Sequence, residues 1–131
     1  MFTILSRYQA QLLAILRIIT GLLFLAHGLV KLIGYPAGAP PGPQNPMTLL
    51  GAAGIIETVA GVLIILGLFT RPAAFLAAGE MAVAYWLKHG SEGFHPLLNH
   101  GEPAILYCFI FLYLAAAGPG AWSLDGARVR R

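Results

Sequence analysis

The chain has 131 residues, of which 58% are hydrophobic and only 10% charged, and its mean hydropathy is +0.77. Soluble domains carry roughly 25% charged residues, so eight Lys and Arg with five Asp and Glu are too few to wet a globular surface, and disorder is excluded as well. One cysteine rules out a disulfide scaffold, and a net charge of +3 without a basic cluster before the last four residues speaks for orientation in a bilayer rather than for nucleic acid.

Crossing a bilayer takes about 20 mostly apolar residues. Four segments qualify in chain order. The first, residues 10–33, is apolar except for Arg17, His27 and Lys31. The second, 48–69, carries one charge, Glu57. The third, 72–88, is short and has Glu80 near its middle. The fourth, 102–117, is closed by Gly118-Pro119-Gly120, a strong helix stop. None of them alternates apolar and polar residues as a membrane strand does. The first run is also too long for a signal peptide and lacks a small-residue cleavage site. The expected fold is therefore all-α: an integral membrane four-helix bundle, one transmembrane domain over residues 1–131.

The connections agree. Residues 34–47 hold five prolines and three glycines and cannot continue a helix. Thr70-Arg71-Pro72 makes a tight hairpin, and residues 89–101, with His89, His95 and His100, read as a short polar cap. With four spans, both termini share a side with residues 70–72. That side holds Arg7, Arg71, Arg128, Arg130 and Arg131 against Lys31 and Lys88 on the other. Both termini are expected in the cytoplasm, the chain lying in a bacterial inner membrane.

Ionisable groups inside a membrane cost about 2.5–3.5 kcal/mol each at a helix centre, so they need a reason. By helical rise, His27, Glu57 and Glu80 lie roughly 9–13 Å below the outer surface, in one slab. Glu102 opens the fourth segment just above, where the helix dipole favours a carboxylate, and His89 and His100 sit in the loop over it. His27 and Lys31 are spaced i,i+4 and share a face, and Gly51, Gly54 and Gly61 allow close helix approach beside Glu57. The functional expectation is that His27, Glu57 and Glu80 converge in a pocket. The bland alternative is that these groups only satisfy one another. Lys31 and Glu102, near an interface, lean that way because both can snorkel. Arg17, deep toward the other end, is expected to snorkel or to pair with a carbonyl.

Several chemistries lack support. No CxxC is present, so dithiol exchange is excluded, and Cys108 reads as a buried neutral thiol. No glycine-rich phosphate loop follows a strand. His89, His95 and His100 are not spaced as ligands on one helix, which leaves a His/Glu metal site as a weak signal.

Residues 21–32, GLLFLAHGLVKL, resemble the first-helix signature of the DoxX family of small bacterial membrane proteins. Residues 54–61 (GIIETVAG), 66–71 (LGLFTR), 80–85 (EMAVAY) and 101–107 (GEPAILY), with His89 and Gly93-Phe94, resemble the rest. The end, GPGAWSLD at 118–125, is similar to the closing motif, with Ala121 where a basic residue is more usual. The resemblance implies a four-helix inner-membrane protein whose shared polar residues are His27, Lys31, Glu57, Glu80, His89 and Glu102. It also implies a redox association, with the chain as a non-autonomous subunit of a membrane oxidoreductase and a quinone as one candidate ligand. In that reading Phe24, Tyr85, Trp86, Phe94 and Tyr107 line an apolar slot, His27 binds a carbonyl and a glutamate passes protons. Two alternatives stand beside it: a binding or transport module for a proton, a metal or a small solute, which four helices would support only as a homo-oligomer, and a purely structural partner in a membrane complex.

Overall fold

A computed structural model describes residues 1–130; Arg131, counted above with the basic residues of the C-terminal side, lies outside them. Among the described residues every regular element is helical: α1 Phe2–Ser6, α2 Gln9–Ile33, α3 Leu49–Leu66, α4 Thr70–Ala84, α5 Pro96–Asn99, α6 Glu102–Ala117 and α7 Leu124–Val129. The ends follow local chemistry. α2 stops where Gly34 takes a left-handed φ of 71°, and α3 stops the same way before Gly67 (φ 66°), three residues short of the end expected from hydropathy. α3 begins under Thr48, whose hydroxyl accepts from the Gly51 amide at 3.1 Å.

Two helices, α2 with 25 residues and α3 with 18, are by themselves long and apolar enough to cross a membrane. α4, with 15 residues, is shorter than the span expected at 72–88 and begins earlier, whereas α6, with 16, coincides with the expected 102–117. α4 gains length by running on into a π-turn, Tyr85–His89, and a 3₁₀ turn, Gly90–Glu92. The loop 89–101, expected as a polar cap, carries α5 and is held by Asn99, which is buried. The Asn99 side-chain amide donates to Gly93 O (2.9 Å) and Tyr85 Oη (3.3 Å), and its Oδ1 accepts from the Gly101 amide (2.8 Å).

Packing is closest within two helix pairs. α2 faces α3 through buried Gly21 and Gly28 on one side and Gly54 and Gly61 on the other, each pair spaced by seven. A Cβ at Gly61 would stand 3.0 Å from the Leu25 Cα, so the two backbones all but touch. α4 buries Ala73, Ala74, Ala77, Ala78 and Met81 in the same core as Ala104, Phe111 and Leu114 of α6. Phe24 of α2 closes the ring against Tyr107 and Phe111, with centroids 5.7 and 4.7 Å away. Leucine, isoleucine and phenylalanine side chains cover the outside of the helices.

The end bearing the termini is locked by three charged side chains. Arg17, fully buried, donates to five carbonyls: Pro119 O (2.8 Å), Ile64 O (2.8 Å), Ile65 O (2.7 Å), Ala121 O (3.1 Å) and Trp122 O (2.9 Å). It thus ties the Ile64 and Ile65 carbonyls at the end of α3 to the 118–125 segment beneath the bundle. Of the two expectations for Arg17, pairing with carbonyls is the one realised. Arg71 caps the end of α6 at Ala115 O and Ala116 O. Asp125 accepts from the amides of Phe69 and Thr70, 2.9 Å each, at the start of α4.

Candidate functional site

At the opposite end of the bundle, charge is buried again, on different terms. Side chains in a helix lean toward its N-terminus, so Lys31, in the last turns of α2, points down along the bundle. Gly54 of α3 makes room for it: a Cβ there would lie 2.8 Å from the Lys31 Cβ. The ammonium reaches Glu57 at 2.5 Å to Oε1 and 2.6 Å to Oε2, with Glu57 only 1% exposed and the Lys31 side chain 13%. Lys31 therefore does not snorkel outward; it is the cation of the site.

Glu80 enters from α4. Its carboxyl lies against that of Glu57 and within reach of Lys31. Its Oε2 is buried and has no hydrogen-bond partner among the described residues. From α6, Tyr107 comes within electrostatic reach of Glu57 and stacks on Phe111 at 5.8 Å. Each of α2, α3, α4 and α6 thus contributes one polar side chain. The arrangement contains one ammonium and two carboxyls, so Lys31 and Glu57 neutralise each other and Glu80 is left over.

The other expected residues fall elsewhere. His27 is exposed, and its ring meets Tyr107 edge-on at 5.9 Å; no hydrogen bond joins it to Glu57 or Glu80 among the described residues. Glu57 and Glu80 converge as expected, but Lys31 and Tyr107 stand where His27 was placed. His89 is half-buried and its Nδ1 lies 2.9 Å from Asn99 O, so it braces its own loop. His100 is exposed and ends α5 with φ 58°, while His95 caps the start of α5. Glu102 is exposed in the first turn of α6, beside a shallow groove of about 290 Å³ between α2 and α6. Among the described residues no three His, Cys, Asp or Glu side chains gather as a metal site. Asn99 was not foreseen from the sequence, and neither was the polar role of Tyr107 nor the number of carbonyls on Arg17.

Two larger hollows flank α4. On its α3 side an apolar groove of about 710 Å³ runs past Phe75, Leu76 and Gly79 with Glu80 in its wall, and ends at Lys88. On its α6 side a pocket of about 630 Å³ is walled by Tyr85, Trp86, Phe94, Cys108 and Phe109. The expected aromatic slot is thereby divided: Tyr85, Trp86 and Phe94 line this pocket, whereas Phe24 is core and Tyr107 belongs to the polar cluster.

The geometry defines a class: a small all-helical protein with an apolar exterior, glycine-tight helix pairs and an ion cluster inside the bundle. Within that class the chain belongs to the DoxX family, whose profile matches residues 12–90. It is 43% identical over 127 residues to an uncharacterized protein of Haemophilus influenzae, covering 92% of this chain and 93% of that one. It is 35% identical over 124 residues to the inner membrane protein YphA of Escherichia coli K12, covering 87% and 88%. With the inner membrane protein YqjF of the same organism it shares 32% over 118 residues, covering 83% and 85%. No solved structure matches.

Proposed function

We propose that the chain is a multi-pass protein of the bacterial inner membrane, a single four-helix transmembrane domain over residues 1–131 formed by α2, α3, α4 and α6, with both termini cytoplasmic. The names of the Escherichia coli relatives support the location. The orientation rests on Arg7, Arg71, Arg128, Arg130 and Arg131 at one end against Lys31 and Lys88 at the other. The ion cluster then lies in the periplasmic half. Reporter fusions at Arg131 and within residues 37–46 test this: a periplasmic C-terminus would invert the site.

Within that frame the protein serves as a redox-associated, quinone-linked subunit of a membrane complex or homo-oligomer, without autonomous turnover. The observation that carries the reading is the convergence of Lys31, Glu57, Glu80 and Tyr107, one from each of the four helices, beside an aromatic-walled pocket. Aromatic walls suit a flat apolar ring, and Tyr85 at the rim supplies a hydroxyl for its carbonyl. The polar cluster across α4 handles the protons that accompany quinone chemistry. His27, His89 and Glu102 act at the margins, as an exposed edge, a loop brace and a helix-end carboxylate.

The test is extraction of the purified protein with organic solvent. Near-stoichiometric quinone is expected from wild type, and about tenfold less from a Trp86→Ala/Tyr85→Phe variant. Quinone no higher than in the surrounding lipid would sink the redox reading and leave the structural-partner reading.

A further inference from the structure

The leftover carboxyl faces the other hollow. Lys31 and Glu57 form a closed bidentate pair at 2.5 and 2.6 Å, so that ammonium has no second charge to give. Lys88 at the end of the α3–α4 groove is exposed and engaged with Glu92 at 3.4 Å. Glu80 therefore lies in an apolar wall, with a buried oxygen and no cation of its own among the described residues. In a low-dielectric setting such a carboxylate requires a proton or a positive charge brought from outside. The groove around it is lined by Leu50, Ile56, Phe75, Leu76 and Val83, and at about 710 Å³ it matches the size of pockets that take drug-sized molecules. Its floor is open at Gly79, where a Cβ would meet nothing within 4 Å.

We propose that the α3–α4 groove binds a lipophilic cation, with Glu80 as its counter-ion, in exchange for a proton. An apolar body fills the groove, and one positive centre supplies the charge that Glu80 lacks. The step balances: the Glu80 O–H bond breaks, the proton leaves to water, the electron pair stays on the carboxylate, and the incoming cation restores neutrality. No oxidant or reductant takes part. The groups that bear on Glu80 are Glu57 from α3, Lys31 from α2, Tyr107 from α6 through Glu57, and Lys88 beyond the end of α4. Of these, Glu57 is already neutralised by Lys31, and Lys88 by Glu92, so the cation meets a net charge of minus one. This goes beyond the quinone reading, which uses the aromatic pocket on the opposite side of α4.

The experiment uses the full chain in phosphatidylcholine nanodiscs, with tetraphenylphosphonium as probe, triphenylphosphine oxide as its neutral counterpart and empty discs as background. Saturable cation binding is expected, tightening by about tenfold per pH unit while Glu80 is protonated, with one proton released per cation in weakly buffered solution. Glu80→Gln is expected to weaken binding by at least about tenfold. Gly79→Phe fills the groove from an open position and leaves Glu80 in place; it is expected to keep the wild-type unfolding temperature and to lose binding to the same degree. It also holds the test if the glutamine variant fails to fold. Equal binding of the neutral probe, binding independent of pH, unchanged binding in Gly79→Phe, or no binding above empty discs would each overturn the proposal. Quinone content should not change in Gly79→Phe, so the two readings fail separately.

Discussion

Charge is buried at both ends of this bundle, and the two ends treat it differently. Arg17 spends all its donors on carbonyls of the chain, 2.7–3.1 Å away, and nothing is left over. The Lys31–Glu57–Glu80 group is closed for the first two members and open at the third. A fully satisfied buried charge acts as a fastener, because removing it strands many partners at once. An incompletely satisfied one is poor construction by the same reckoning, and such a group is where a ligand or a proton has something to do. The comparison sets the proposed function in the half containing Glu80 and assembly in the half containing Arg17.

The largest expected effect falls on the fastener. Hydrogen bonds to charged donors contribute about 1.5–3 kcal/mol each, and Arg17→Ala removes five of them at the junction of α2, α3 and the 118–125 segment. A loss of about 4–5 kcal/mol or more is expected, in the range reserved for broken buried networks, and it should prevent isolation of a folded protein. Arg17→Lys keeps the charge but has three donors in place of the guanidinium fork, so it should recover only part of the loss. Thermal unfolding in detergent reads both. A variant at this position within about 1 kcal/mol of wild type would end the comparison.

Next comes the closed part of the opposite cluster. Glu57→Leu alone takes away the close bidentate partner of the Lys31 ammonium and leaves only the more distant Glu80, at a cost of up to about 3–5 kcal/mol. Lys31→Met with Glu57→Leu removes both charges and should return to within about 1 kcal/mol of wild type, since apolar replacements of buried pairs are often neutral or better. Glu80→Leu is expected to be neutral or slightly stabilising, because it deletes an unsatisfied oxygen. If Glu80→Leu is instead as damaging as Arg17→Ala, the two halves are built alike and the functional reading of Glu80 is lost.

How much of this was legible in the sequence follows from what one chain encodes locally. The four main helices were legible because apolar runs and their Gly and Pro stops are local, and the end of α3 was misjudged only where Gly67 turns left-handed before a still apolar Leu68-Phe69. Glu57 and Glu80 were legible as lone charges in apolar runs. His27 was misplaced because rise along a helix fixes depth, whereas rotation about the axis is set by the partner helix. Here Gly21 and Gly28 claim the face toward α3 and turn position 27 outward. The direction of Lys31 depends on Gly54, a residue on another helix, and so could not be read from its own segment. The carbonyls on Arg17 come from positions 47 to 105 residues away, and the hold of Asn99 on Gly93 and Tyr85 depends on how the loop folds back.

The smallest expected effect lies at the locked end, and it separates a fixed charge from a fixed hydrogen bond. Asp125 belongs to α7, outside the proposed spans, and accepts from the amides at the start of α4. Partial burial by itself would raise the carboxyl, but donation from Thr70 and Phe69, helped by Arg128, outweighs it and holds Asp125 below the ordinary carboxylate range. With the folded value depressed, the linkage has a definite sign. The stabilisation is complete above the unfolded value of about 3.9 and disappears as pH falls through the lower folded value. Asp125→Asn should therefore cost about 1 kcal/mol at neutral pH, the usual worth of a helix cap, and the gap to wild type should narrow on acidification below about pH 4. Unfolding temperatures of the two proteins across that range decide it. A gap that persists unchanged in acid would mean that Asp125 holds the α4 terminus by hydrogen-bond geometry alone, and that of the charges at this end Arg17 is the one whose ionisation the fold uses.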